Sequence, residues 1–156
     1  MDWSTIASTV VGGLIGIAST LTAEWVRSRR DRETSGRAAR LQLYGDYLAA
    51  LSRTRSDLRA VARSADVPAE QRASRALEAF LGGGAYELRY QVAIVAPEDV
   101  VEASTAAFRE LRLLRERLQE GALRSDPVYA EARQRWERAF GELRARIRAD
   151  LATFGR

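Results

Sequence analysis

Between Asp2 and Glu24 the chain runs for 21 residues without a charge. An uncharged, largely apolar run of 18 or more residues reads as a membrane-spanning helix. Trp3 and Trp25 bracket it. On a helix the two indoles lie about 33 Å apart, close to a hydrocarbon core of about 30 Å with an aromatic belt at each face. The strong apolar residues of the run are Ile6, Val10, Val11, Leu14, Ile15, Ile17 and Leu21. Together they supply about −2 to −4 kcal/mol of insertion free energy, from which Ser, Thr and Gly subtract. Insertion of an isolated helix is therefore marginal, and a buried soluble helix is the competing reading. A cleaved signal peptide fits less well, because the charge cluster comes after the apolar run instead of before it.

The flanks give a direction. Arg27, Arg29, Arg30 and Arg32 stand directly after the run, with Arg37 and Arg40 beyond; against Asp31 and Glu33 these six arginines leave a net charge of +4. Positive charge stays on the cytoplasmic side. The expected placement is a single-pass protein of the cell membrane, with its N-terminus outside and the remaining chain in the cytoplasm. Trp3, Trp25 and the four leading arginines would form the membrane interface, where arginines also attract anionic lipid headgroups. Within the run Ser4, Ser8, Gly12, Gly16 and Thr20 recur every four residues and Glu24 ends the series. Four-residue spacing puts them on one slowly drifting stripe. Small side chains let two helix backbones approach, so the stripe predicts helix–helix association; small residues are also simply common in membrane helices.

The chain beyond this run is expected to be all helical. Only three prolines are present, and every one of the 25 basic residues is Arg, with no Lys, His or Cys. Disulfides, Cys- or His-ligated metals, His acid–base catalysis and Schiff-base lysines are excluded. No cofactor is implied. The chemistry that remains belongs to Asp, Glu, Arg, Tyr, Ser and Thr; a carboxylate-only or all-oxygen metal site could use pairs such as Glu98 and Glu102, four apart on a helix, but such pairs are usually solvated surface. The chain is read as a non-enzyme.

The organisation expected is an anchor over residues 1–26, an Arg-rich juxtamembrane linker over 27–36 and a cytoplasmic helical bundle over 37–156. Apolar steps of three and four at Leu41, Tyr44, Leu48, Leu51, Leu58 and Ala62 mark a first buried stripe. Arg55 interrupts it and is expected to snorkel at the bundle edge. A second helix over 70–81 points Ala73, Leu77 and Phe80 or Leu81 inward, and Gly82-Gly83-Gly84 breaks it. Residues 86–95 alternate apolar and polar like a strand. No partner strand is visible, and a lone strand cannot satisfy its hydrogen bonds, so a helix to Ala96 is expected.

Pro97-Glu98-Asp99 then starts a helix with Val101, Ser104, Phe108, Leu111, Leu114 and Leu118 inward, stopped by Gly121. Ser125-Asp126-Pro127 starts the last, with Tyr129, Ala132, Trp136, Phe140, Leu143, Ile147, Leu151 and Phe154 inward. Glu131 with Arg135 and Glu142 with Arg146 are favourable four-apart pairs. Short loops suggest an antiparallel, up-down-up-down four-helix bundle. Residues 98–120 carry six acids and four arginines, and residues 127–156 four acids and seven arginines. Opposite charge on neighbouring helices explains this better than nucleic acid does, since the aromatics fall on the buried stripe and not among the arginines.

The anchor with Arg27-Ser28-Arg29-Arg30, then Tyr44-Gly45-Asp46-Tyr47-Leu48, and Val95-Ala96-Pro97-Glu98-Asp99-Val100-Val101 together resemble a group of short, uncharacterised single-pass membrane proteins of high-GC bacteria. That resemblance implies an anchor plus a helical domain and no activity. The function expected is a membrane-anchored helical scaffold or interaction protein that touches membrane lipid. It would self-associate as a homo-oligomer or bind a membrane or cytoplasmic protein. The alternative is a self-assembling membrane effector, holin-like or pore-forming.

Overall fold

The computed structural model describes residues 36–153, and all its regular structure is helical. The anchor, its Ser4–Thr20 stripe, the tryptophan and arginine interface residues and Phe154 lie outside the described residues. Among the described residues no helix is long and apolar enough to cross a membrane. The chain divides after Ala39, and the unit Arg40–Arg156 holds the bundle. Its elements are α1 (36–61), α2 (Ala69–Gly82), α3 (Ala85–Val95), α4 (Glu98–Gln119) and α5 (Pro127–Thr153).

Side-chain contacts fix the directions. Tyr44 and Arg40 of α1 reach Asp150 of α5, at 2.7 and 3.4 Å, and Arg55 approaches Glu137 at 4.0 Å. As α1 ascends α5 descends, so the two are antiparallel. Glu110 of α4 meets Arg135 of α5 at 3.4 Å, and Asp99 meets Arg146 at 3.9 Å, which makes α4 and α5 antiparallel as well. Phe80 of α2 packs on Phe108 of α4 with centroids 5.4 Å apart, while Arg72, eight residues earlier, bonds Gly121 O at 3.1 Å. The second rod of the up-down-up-down bundle is therefore α2 and α3 in sequence, running against α4.

The core stripe of α1 is Tyr44, Tyr47, Leu51, Thr54, Leu58 and Val61, an unbroken alternation of three and four. Leu41 departs from expectation and is 55% exposed. Tyr47 is level with Ser104, to which it bonds at 2.9 Å. Leu41 is thus level with the first residue of α4, at the end of the bundle, where the described helices leave it largely exposed. Leu48 is only half-buried.

In α2 the buried face is Arg72, Ala76 and Phe80, with Ala73 half-buried and Leu77 and Leu81 exposed. The helix is turned by about one residue from the expected face, and Arg72 explains the turn. Its guanidinium donates to Val67 O at 2.6 Å and to Gly121 O at 3.1 Å, tying the α1–α2 turn to the α4–α5 turn. A buried cation needs such partners to offset its lost hydration. α4 is buried over a broad arc that includes Val100, Ala103 and Ala107 besides the expected positions; Val101 is only half-buried. In α5 Tyr129, Ala132, Trp136, Leu143 and Ile147 are buried, with Phe140 and Leu151 partly so. Glu142 and Arg146 pair at 2.7 Å as expected. Arg135 does not pair with Glu131 but turns to Glu110 across the interface.

The break between α2 and α3 has a specific cause. Gly84 holds φ +70°, a left-handed conformation that only glycine adopts without strain. A Cβ on the preceding Gly83 would overlap the Thr54 hydroxyl and sit 3.0 Å from Thr54 Cβ. The residues over 86–95 are helical, as the missing partner strand requires, and Ala96 turns extended (φ −86°, ψ 152°) because Pro97 disfavours helical backbone in the residue before it.

Gly83→Ala should destabilise the bundle by about 1–3 kcal/mol through overpacking, measured by urea unfolding. Added to Thr54→Ala, which removes the clashing hydroxyl, the same change should cost clearly less, a coupling that a double-mutant cycle reads directly. A second expected outcome concerns pH. Burial, then the hydrogen bond and charge of Asp150, push the Tyr44 phenol far above its ordinary value, with Arg40 pulling back weakly. The fold therefore favours the protonated phenol. That contribution is complete below about pH 10, where the unfolded phenol is also protonated, and is lost as pH rises through the folded value. Tyr44→Phe should cost about 1–3 kcal/mol at neutral pH and should flatten the alkaline fall in stability.

Candidate functional site

A helix whose apolar residues all faced one way would leave only polar side chains outside. α3 does not obey this rule. Ala85 and Val92 are buried and Leu88 is half-buried on one face, yet Tyr86, Tyr90 and Ile94 stand on the other, 48%, 49% and 82% exposed. Positions four apart stack on successive turns, so these three form one stripe about 12 Å long. Val95 is exposed beside it, and Leu77 and Leu81 are exposed on α2.

The tyrosines form an ordered pair. Their rings meet edge to face at 5.1 Å and their hydroxyls are 3.0 Å apart. Tyr86 also packs against Phe108, at 6.1 Å. Arg89, on the turn between them, lies 5.0 Å from the Tyr90 ring and 4.9 Å from the Phe108 ring. A guanidinium between two aromatic faces is a favourable cation–π arrangement. It holds Tyr90 against the body of the bundle while leaving its outer side bare. Charge along α3 is balanced, one Glu87 against one Arg89. Chemically the stripe offers apolar contact area and two paired hydroxyls, flanked by Glu87 and Arg89.

The residues singled out from sequence fall elsewhere. Glu98 and Glu102 are both exposed at the start of α4. Arg55 does not snorkel as expected: its side chain is only 11% exposed, with the guanidinium 5.6 Å from the Trp136 ring and near Glu137, so its charge is held inside the bundle edge instead of reaching out to water. Trp136 is buried and stacked on Phe140 at 4.8 Å. Sequence reasoning missed the α3 stripe, although its signal was present. Alternation with a period of two, wound into a helix, places apolar residues on two opposed faces, and the bundle can cover only one of them.

No protein-family model, curated protein or solved structure matches the chain.

The paired hydroxyls give this surface a spectroscopic handle. The hydroxyl–hydroxyl bond with Tyr86, with Arg89 adding to it, lowers the pKa of Tyr90, and the same bond raises that of Tyr86. In a phenolate absorbance titration Tyr90 should ionise before Tyr44, Tyr47 and Tyr86. Tyr86→Phe should move that first step to higher pH.

Proposed function

We propose that the chain is a non-enzymatic, membrane-anchored helical interaction protein that pairs with a second copy of itself through the outer face of α3. The observation that carries this is the uncovered Tyr86–Tyr90–Ile94 stripe. A neutral stripe with one acid and one base suits a like partner. In a two-fold pairing the same patch meets itself, and two antiparallel copies of α3 centred on Tyr90 would set Glu87 level with Ala93 and Arg89 level with Gln91, so that no like charges meet. Tyrosine is also among the residues enriched where interfaces concentrate their binding energy. The Ser4–Thr20 stripe, if it spans the membrane as its composition suggests, would add a second association surface in the same chain. A membrane anchor over residues 1–26 and a cytoplasmic bundle remain part of this proposal.

The test is the mass of the full chain in mild detergent by light scattering. The expected result is an oligomer. Ile94→Arg should weaken it by about tenfold to a hundredfold, the worth of burying one isoleucine, with helix content unchanged. An oligomer insensitive to Ile94→Arg but broken by Gly12→Leu with Gly16→Leu would move the association to the anchor. A monomer at every concentration would overturn the reading.

A further inference from the structure

At the end of the bundle away from Arg40, the last turns of α1, the α4–α5 loop and the first turns of α5 enclose a cleft of about 210 Å³. Its charged and polar lining is Arg55, Arg59, Arg124 and Arg133, with Tyr129 and Glu137. Four guanidinium groups face one carboxylate. Glu137 is spread between two of them, 4.0 Å from Arg55 and 3.7 Å from Arg133. Arg59 and Arg124 have exposed side chains and make no ion pair among the described residues.

Two buried groups in the wall lack partners among the described residues. Tyr129 is only 2% exposed, and its hydroxyl has no hydrogen-bond partner there. Buried phenols normally find one. The Arg55 side chain is 11% exposed and its Nε is likewise unpartnered. Burial pushes the Arg55 guanidinium down from its usual value, and the neighbouring charges of Arg59 and Arg133 push the same way, while Tyr129 and Glu137 oppose them. α5, 27 residues long, begins at Pro127, so the positive end of its dipole lies beside Tyr129 and Ala130 of the lining.

Crowded like charges and an unsatisfied buried donor share one remedy, a multiply charged acceptor seated among them. We propose that the cleft is a phosphate-binding site for a compact phosphomonoester or diphosphate group. A single carboxylate would leave most of the excess positive charge unopposed. Arginine forks match phosphate oxygens two at a time. The lining offers no exposed aromatic face on which a base could stack, so the phosphate group itself is the recognised part. Arg59 and Arg124 supply the free guanidinium groups, the Tyr129 hydroxyl donates from the wall, and Arg55 contributes its charge from behind. The phosphate could belong to a soluble metabolite or to a lipid headgroup. Arg59 lies 19 residues beyond Arg40 along α1, about 28 Å away.

The experiment uses the full chain in detergent micelles at constant ionic strength, titrated by calorimetry with two probes, pyrophosphate and a short-chain, water-soluble phosphatidate. Saturable binding of pyrophosphate alone supports the site with a soluble source; binding of the phosphatidate alone supports it with a headgroup. In either case Arg59→Gln and Arg124→Gln should each weaken binding by about tenfold or more, and Tyr129→Phe should weaken it too. Arg112→Gln, on an exposed part of α4, should leave it unchanged. The two cleft arginines are exposed, so their variants keep the test valid even if Tyr129→Phe does not fold. No saturable binding of either probe, or equal binding in the Arg59→Gln/Arg124→Gln double variant, would overturn the proposal. The cleft and the α3 stripe are separate surfaces, so the Ile94→Arg variant should bind the probe like the unchanged chain whether or not it self-associates.

Discussion

The outer side of the bundle depends on the approach of Gly83 to Thr54. Because a hydrogen replaces a side chain there, the second rod can come within van der Waals distance of α1 and then change direction at Gly84. That change lets α2 and α3 reach the same residue of α4 from different directions. Phe80 and Tyr86, one on each helix, both pack on Phe108. A continuous helix from 69 to 95 would repeat every 3.6 residues and could not keep this pair of contacts together with the buried Ala85 and Val92. The rotation of α3, and with it the outward direction of Tyr90 and Ile94, is set by this one close contact.

Polar groups fix the register that the apolar stripes alone leave loose. Leucines in a helix bundle tolerate sliding by a turn, whereas a hydrogen bond has one geometry. Tyr47 with Ser104 sets α1 against α4, and Tyr44, a turn earlier, sets α1 against α5 through Asp150, both toward one end of the bundle. Arg72 sets the other end by joining two turns through their carbonyls. Every one of these side chains is specified by what stands opposite it, and a buried hydroxyl or guanidinium that loses its partners is left unsatisfied.

This division explains what could be read from the sequence. Helix positions were legible because the turn residues Gly84, Pro97, Gly121 and Pro127 act locally, and apolar spacing fixed the inward faces of α4 and α5 almost completely. The rotation of α2 was not legible. It depends on Arg72, which looks like a surface residue until the carbonyls of Val67 and Gly121 are brought beside it. Leu41 was misread for the related reason that spacing says which face a residue is on, but not whether the neighbouring helices extend far enough to cover it. The arginine cleft was out of reach, since its members come from three separate segments and only folding assembles them. The α3 stripe was within reach, hidden in an alternation that suggested a strand.

α3 also has an unusual place in the energetics. Its 11 residues bury only Ala85 and Val92, whereas α4 buries eight side chains. Local opening of a folded domain begins where least apolar surface is lost, and by that measure α3 is the element the bundle can release at least cost. Turns bound it at both ends, Gly83-Gly84 before it and Ala96-Pro97 after it. Its release would uncover the side of Phe108 that Tyr86 covers. The aromatic stripe is thus carried on the helix that buries the least side-chain surface, the place where local opening of the bundle would begin.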